Sequence, residues 1–320
     1  MYFLARNMGV SRIPALVAAL VFVLNQYFIS RFASGHLPFA YAYALFPLLL
    51  LLYLKILAKD SVFVILCFAT LSWIIISFTR LDVILYSVPI LIIVTVARFT
   101  SLRSKANLRI LLIRLTKAIA IGSPILFGLS AFQIIPILSG AKAAFVSTDI
   151  SIPIPELEFW SLSFKKSLLG FSRELGVLNS QGGISWSVHP LLTEISYEIL
   201  MAVIPVIALL SLIFRRDWLI ASLIATGLVG AFLAKGPTPP GQDVYLWLYN
   251  NVPLFGVLKT PNRWIMLGYI AYPLLIAVTM QGVFSWRPQI PHGLTWINRI
   301  PWRPQIPHGL TWINRIPWRP

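Results

Sequence analysis

Charged residues are scarce in this sequence, and acids are the scarcest. Charged residues make up 11% of the 320 positions, with 10 Asp or Glu against 26 Lys or Arg. Soluble globular proteins carry charge at about a quarter of their positions. Hydrophobic residues make up 58% of the chain and its mean hydropathy is +0.81. The composition therefore excludes a water-soluble domain and indicates an integral membrane protein.

The sequence also lacks the motifs of several enzyme classes. It contains no Walker A motif, no Gly-rich dinucleotide fingerprint and no G-x-S-x-G element. Its four histidines show no metal-ligand spacing. The single cysteine, Cys67, can form no disulfide within the chain. Without a Walker A motif or a dinucleotide fingerprint, the sequence gives no support for nucleotide-driven chemistry.

Long apolar runs dominate the sequence instead. About 20 apolar residues are needed to cross roughly 30 Å of hydrocarbon, and a helix satisfies its own backbone hydrogen bonds there. The runs predict an all-α integral membrane protein with about eight transmembrane helices and a long outer loop that contains an interfacial helix. The predicted spans are 13–30, 37–56, 61–78, 81–97, 118–138, 197–214, 218–234 and 264–284.

The basic residues are unevenly distributed over the links between these spans. One alternate set of links, which includes both ends of the chain, carries 17 Lys and Arg, and the other set carries 9. Because short basic links stay in the cytoplasm, we predict a multi-pass protein of the cell membrane with both termini cytoplasmic. The net charge of +16 then reflects topology, so the lipid bilayer and not nucleic acid is the predicted partner.

Four regions follow from this pattern: a membrane region of five spans over 1–138, an outer loop over 139–196, a membrane region of three spans over 197–284, and a tail over 285–320. The tail repeats WRPQIPHGLTWINRIP from Trp286 with a period of 16. Three prolines per copy exclude a regular helix. We predict a mostly disordered tail, with contact of its Trp and Arg with the inner membrane surface as the alternative.

Two segments have the pattern of interfacial helices. Residues 98–117 contain six basic residues, no acid and interleaved leucines, which predicts a helix on anionic lipid headgroups, with partner docking as the alternative. In the outer loop, Trp160, Phe164, Leu168 and Phe171 recur at helical spacing. A short helix there would place these apolar side chains in lipid and the neighbouring charges in water.

Several stretches resemble a known family. They are YFLARNMGVSRIPALVAALVFVLNQYFISRFASGHLPFAYAYALFPLLLLLYLK, TRLDVILYS, AFQIIPILSG and LYNNVPLFGVLKTPNRW. Over residues 1–282 the chain resembles polytopic proteins of the YfhO-like group, which are similar to GT-C-fold glycosyltransferases and include archaeal versions. The resemblance implies transfer of a sugar from a polyprenyl-phosphate donor, the lipid-linked partner, at the outer membrane face.

In such families an acid in the first outer loop usually serves as the catalytic base. We expect Met1 to correspond to a point two or three spans into the family. The loop with that acid is therefore expected to lie outside this sequence.

The late loop carries the candidates for binding the donor phosphate. Lys259 and Arg263 flank Pro261 at the outer end of the last predicted span. One point charge and one guanidinium fork match a phosphate group, while snorkelling anchors at the membrane interface are the alternative. We expect the outer segments 31–36, 80–82, 156–173 and 235–263 to converge on one pocket at the membrane surface.

Five further residues complete the candidate site. Asp82, Glu156 and Glu158 are the candidate catalytic acids, since a general base needs a carboxylate within about 3 Å of the acceptor hydroxyl. Arg80 and His36 are additional candidates for substrate binding. The alternatives are an ion pair that orients the turn for Arg80 and Asp82, interfacial hydrogen bonding for His36, and solvated loop acids for the two glutamates.

A transporter or flippase of lipid-linked saccharides, or a non-catalytic membrane protein, is the alternative function. Prolines at 47, 89, 124, 205 and 273 interrupt five predicted spans, as in carriers with broken helices. However, no Asp, Glu, Lys or Arg lies in the middle of a predicted span, whereas ion-coupled transporters usually need one. The sequence identifies no cofactor and no oligomeric state.

Overall fold

A computed structural model describes residues 1–25, 28–29, 37–78, 84–102, 104–131, 158, 161, 194–252, 255 and 261–285. All regular structure in these ranges is helical, without a strand. The chain divides into two compact units, Met1–Phe284 and Ser285–Pro320. Of the second unit, only Ser285 belongs to the described residues.

The apolar runs form helices because a helix satisfies the hydrogen bonds of each backbone N–H and C=O within its own segment. A 3₁₀ turn, Pro261–Ile265, precedes the last helix. In chain order the α-helices are α1 (Tyr2–Asn7), α2 (Arg12–Val23), α3 (Leu37–Ala58), α4 (Val62–Phe78), α5 (Val88–Ser101), α6 (Lys105–Leu129), α7 (Glu194–Phe214), α8 (Trp218–Ala234), α9 (Gln242–Asn251) and α10 (Met266–Ser285).

Three segments are long and apolar enough to cross a membrane: Ala40–Ala58, Lys105–Leu129 and Pro261–Ser285. Five predicted spans correspond to shorter apolar helices, at Arg12–Val23, Val62–Ser77, Val88–Ser101, Ala202–Phe214 and Trp218–Ala234. The structure thus confirms an all-helical chain with membrane-spanning candidates.

Two predicted boundaries differ from the structure in the middle of the chain. An interfacial helix over 98–117 and a separate span over 118–138 were expected, but α6 runs without a break from Lys105 to Leu129. Arg98 belongs to the preceding helix, α5. That helix begins at Val88 rather than at 81, because Pro89 lies in its first turn, where its missing N–H is not needed.

The first predicted span, 13–30, also ends early in the structure. Helix α2 stops at Val23, and the Asn25 side chain then bonds to the chain around it. Its Oδ1 accepts a hydrogen bond from Phe28 N at 2.9 Å, and its Nδ2 donates to Tyr43 Oη at 2.8 Å. Asn25 therefore acts as a cap that ends one helical segment and starts the next turn.

Helix α10 lies at the centre of the packed core. Each residue from Met266 to Thr279 is buried, and 72% of the most apolar stretch of Pro261–Ser285 is buried against 6% for Lys105–Leu129. Helix α6 leaves large apolar side chains exposed, among them Ile113, Ile119 and Phe127. Uncovered apolar surface of this kind is what lipid contacts in a membrane protein.

The turn between α7 and α8 is fixed by one acid. Asp217 Oδ1 accepts hydrogen bonds from Leu219 N at 3.1 Å and Ile220 N at 3.0 Å, which caps α8. Arg215 pairs with the same carboxylate and donates from Nη1 to Met8 O at 2.6 Å. The cap thereby ties this turn to the end of α1.

Prolines do not interrupt the helices that contain them. Pro47, Pro124, Pro205 and Pro273 lie inside α3, α6, α7 and α10, each of which continues past its proline. The sequence had indicated interrupted spans at these positions. An interior proline removes one backbone hydrogen bond, and each of these four helices tolerates that loss without ending.

Candidate functional site

Described residues from several links between helices lie at the two ends of α8. Trp218, its first residue, has the guanidinium carbon of Arg98 at 5.2 Å from its ring centroid. At the other end, a Cβ on Gly236 would lie 3.1 Å from Pro261. Seventeen residues at 1.5 Å per residue separate these contacts by about 25 Å.

The basic end contains described residues from four of the links predicted to be cytoplasmic. There Arg114 Nη1 donates to Leu57 O at 2.9 Å, and Lys117 pairs with Asp60 at 2.7 Å. Together with Arg98 and Arg215, these residues bring four predicted inner links to one end.

The aromatic end is defined by Tyr86, Tyr245, Phe255 and Trp264, all buried. Trp264 has the Tyr86 ring edge-on at 4.7 Å between centroids and the Phe255 ring stacked at 5.8 Å. Tyr245 meets Phe255 edge-on at 5.6 Å. Because the four rings come from four stretches of the chain, their packing fixes these stretches relative to one another.

The 3₁₀ turn places polar groups under this aromatic cluster. Asn262 is 2% exposed, and within the described residues neither its Oδ1 nor its Nδ2 has a hydrogen-bond partner. The same holds for Tyr245 Oη and Trp264 Nε1. Buried polar groups are nearly always paired with protein, water or ligand. This turn therefore carries donors and an acceptor suited to a polar ligand.

Arg263 follows Asn262 on the same turn and is half-buried. The structure places it at the aromatic end, directly before Trp264, and its location at the outer membrane face stays a prediction. A guanidinium here presents a planar fork of donors, which fits phosphate or carboxylate oxygens. Together with the Asn262 amide, it makes this turn the strongest candidate for an anion site at the aromatic end.

Lys235 is a residue of this end that sequence reasoning passed over. It follows the last residue of α8 and is 0% exposed, and its Nζ donates to Thr238 O and to Gly236 O at 3.3 Å. The Nζ also lies 4.8 Å from the Phe232 ring centroid. Burial lowers the pKa of Lys235 below its ordinary value. The sequence does contain a signal for this residue: a lysine directly before a glycine commonly closes a helix, and Lys235 precedes Gly236.

The outer loop reaches the aromatic end through Ser161. A Cβ on Gly236 would overlap the Oγ of Ser161, and the φ of +60° at Gly236 suits glycine. Ser161 N donates to Glu158 O at 3.0 Å, and Glu158 itself is exposed. The structure thus brings one predicted catalytic acid within a turn of the residue that contacts the Lys235 turn.

The other predicted site residues, His36, Arg80, Asp82, Glu156 and Lys259, lie outside the described residues, as does the predicted interfacial helix around Phe164. Within the described ranges, no three His, Cys, Asp or Glu side chains are grouped to hold a metal ion.

Burial raises the pKa of Tyr245, with the nearby Tyr249 phenol as a second cause. Tyr245 is therefore a neutral hydrogen-bonding group at physiological pH.

Comparison with protein-family models, curated proteins and solved structures finds no match to this chain. The resemblance to YfhO-like proteins accordingly stays a prediction from the motifs quoted above. The candidate site is argued from its own residues.

Proposed function

We propose that this chain is a membrane glycosyltransferase, or part of one, that takes a sugar from a polyprenyl-phosphate donor at the outer membrane face. The observation that carries the proposal is the Asn262–Arg263 turn, where a half-buried guanidinium adjoins a buried amide. The turn lies at the end where segments from Tyr86, Ser161 and Lys235 meet. A charged lipid headgroup is the ligand class that suits such a turn beside a membrane.

Charge development supports the role of Arg263 and Lys259. As the glycosidic bond breaks, the phosphate leaving group gains negative charge, so a fixed cation stabilises the transition state more than the ground state. Lys235 donates to two carbonyl oxygens and holds the turn in place. Arg263 and Lys259, the two cations on either side of Pro261, are the proposed donor-phosphate residues, with Arg80 and His36 as further substrate contacts.

The carboxylates are proposed to act as the general base that accepts a proton from the acceptor hydroxyl. Glu158 is exposed and lies three residues before Ser161, which contacts the Gly236 turn. An exposed carboxylate on such a segment can approach an acceptor hydroxyl and accept its proton. Glu156 and Asp82 are the other proposed acids.

The predicted arrangement of the chain in the membrane is part of the same proposal. Eight spans, both termini in the cytoplasm and an outer loop with an interfacial helix are supported by the 17 to 9 basic asymmetry and by the gathering of alternate links at two ends. The site would then face outward. The alternative of a transporter or flippase is less favoured, because the helices that contain interior prolines are continuous.

The test uses farnesyl phosphate and farnesol, which share an isoprenoid tail and differ by the phosphate. Isothermal titration of the detergent-solubilised chain should show binding of farnesyl phosphate that is weakened about ten- to hundred-fold by Arg263→Met. Farnesol should bind equally to both proteins. Where turnover is measured, the same change should lower it by on the order of ten- to a thousand-fold.

Arg216→Met is the matched control, because Arg216 is exposed at the basic end. It should leave the affinity for farnesyl phosphate within about twofold. Equal binding by the wild type and the Lys259→Met, Arg263→Met double variant would return both residues to the role of interfacial anchors and remove the main support for a lipid-phosphate donor.

A further inference from the structure

The basic end contains two adjoining cavities with volumes of about 200 and 220 Å³. Leu57 and Arg98 line both of them. Arg114 lines the first and Arg215 the second. We call the pair the Arg98 cleft. Three guanidinium groups thus line two cavities that share Leu57 and Arg98.

The charge of the Arg98 cleft is not balanced by the acids beside it. In the part of the chain that the structure describes, Asp60 and Asp217 are the acids near this cleft, and each already has a basic partner. Lys117 binds Asp60 at 2.7 Å, and Arg215 binds Asp217. No described carboxylate pairs with Arg98 or Arg114. The cleft therefore has an excess positive charge.

The guanidinium groups of Arg98 and Arg114 are held in place by contacts that leave some of their N–H donors free. Arg114 donates from Nη1 to Leu57 O at 2.9 Å, while its buried Nε has no hydrogen-bond partner among the described residues. Arg98 lies over the Trp218 ring with its guanidinium carbon 5.2 Å from the ring centroid, and its side chain forms no hydrogen bond within the described residues. Preorganised donors lose little conformational entropy when they bind an anion.

The remaining wall of the first cavity is mostly apolar. Leu102, Ile110 and Leu111 line it beside Leu57, and the polar Asn107 comes from the first turn of α6. Ile110 is 46% exposed, so the apolar wall continues onto the outer surface of α6. A ligand with an anionic head and an apolar tail matches this combination better than a wholly polar ion.

We propose that the Arg98 cleft binds the phosphate group of an anionic membrane lipid. Arg98 and Arg114 contact the phosphate oxygens, and the acyl chains run along the exposed apolar face of α6. The site lies at the opposite end of α8 from the Asn262–Arg263 turn and does not depend on the proposed transfer of a sugar. It recognises a headgroup rather than a general negative surface, since two positioned guanidiniums line one cavity.

Titration of the detergent-solubilised chain with dihexanoyl phosphatidic acid tests the proposal. We expect saturable binding that Arg98→Gln weakens about tenfold, and that the double change Arg98→Gln, Arg114→Gln weakens further. Arg98→Gln alone keeps the bond from Arg114 to Leu57 O, so its effect is not a loss of that tertiary contact. An unchanged apparent Tm for this variant checks that the fold is kept.

The control is Arg109→Gln with Arg216→Gln, two exposed arginines that do not line the cleft. This pair removes the same charge and should leave the affinity within about twofold. An equal loss in the two pairs would overturn the proposal in favour of general electrostatic attraction. Inorganic phosphate that binds as tightly as phosphatidic acid would overturn the assignment to a lipid and make the site one for a free ion.

Arg263→Met separates this site from the proposed donor site. It should leave the binding of dihexanoyl phosphatidic acid unchanged while it weakens the binding of farnesyl phosphate. Loss of phosphatidic acid binding in Arg263→Met but not in Arg98→Gln would overturn the Arg98 cleft and assign both lipids to the aromatic end.

Discussion

At the residue scale, the contact between α8 and α10 depends on glycine. A Cβ on Gly230 would lie 2.8 Å from Leu267 Cβ and 3.0 Å from Trp264 O. One turn away, a Cβ on Gly227 would lie 3.1 Å from the Tyr272 ring. Small residues let two helix backbones approach closely, and this approach positions the 3₁₀ turn with Asn262 and Arg263.

Gly230→Ala should destabilise the protein although alanine favours a helix by about 1 kcal/mol. The backbone oxygen of Trp264 cannot yield as a flexible side chain can, so we expect a net loss of about 1–3 kcal/mol, in the range of overpacked cores. The matched control is Gly128→Ala in α6, where a Cβ meets nothing within 4 Å. Thermal unfolding in detergent measures both variants. A Gly230→Ala protein as stable as Gly128→Ala would show that α8 and α10 are not in close contact.

Sequence reasoning selects charged residues for the candidate site and passes over the neutral ones. Arg263 is a candidate because a guanidinium fork matches phosphate, and Glu158 because a carboxylate can act as a general base; the structure places both at or near the aromatic end. Asn262 carries no charge, and its interest comes from burial. Burial depends on the packing of Tyr86, Phe255 and Trp264 from distant stretches, which no local pattern shows.

At the scale of the element, helices were predictable and their ends were not. Apolar runs locate the three longer and five shorter apolar helices of the described residues, because length and hydropathy are local properties. The early end of α2 depends on Asn25 and its bond to Tyr43, a residue 18 positions away. Two predicted segments, 98–117 and 118–138, fall largely on the single helix α6. The pattern of charges alone cannot tell one long helix from two consecutive ones.

The cap on α8 gives a prediction at this scale. Asp217→Ala removes the acceptor for Leu219 N and Ile220 N and should cost about 1 kcal/mol, whereas Asp217→Asn keeps an acceptor oxygen and should cost less. Ser104→Ala is the control, since Ser104 precedes α6 without a side-chain cap bond. The apparent Tm of the three variants provides the measurement. Equal values for Asp217→Ala and Ser104→Ala would contradict the capping role.

At the scale of the whole molecule, described residues of several links lie at the two ends of α8. The side that each end faces is a prediction from the basic asymmetry. In a Cys67→Ser background, Ser180→Cys should react with an impermeant maleimide added to intact cells, and Ser104→Cys should react only after lysis. The reverse pattern would invert the topology and move the proposed donor site to the cytoplasmic face.

Helix α6 has a mechanical consequence for the whole molecule. Its first half lines the Arg98 cleft through Asn107 and Arg114, and its second half is apolar up to Leu129. At 1.5 Å per residue its 25 residues measure about 37 Å, and Pro124 is its one interior proline. Because one continuous helix joins the two halves, we expect a displacement of Arg114 to be transmitted to the apolar half, up to Leu129.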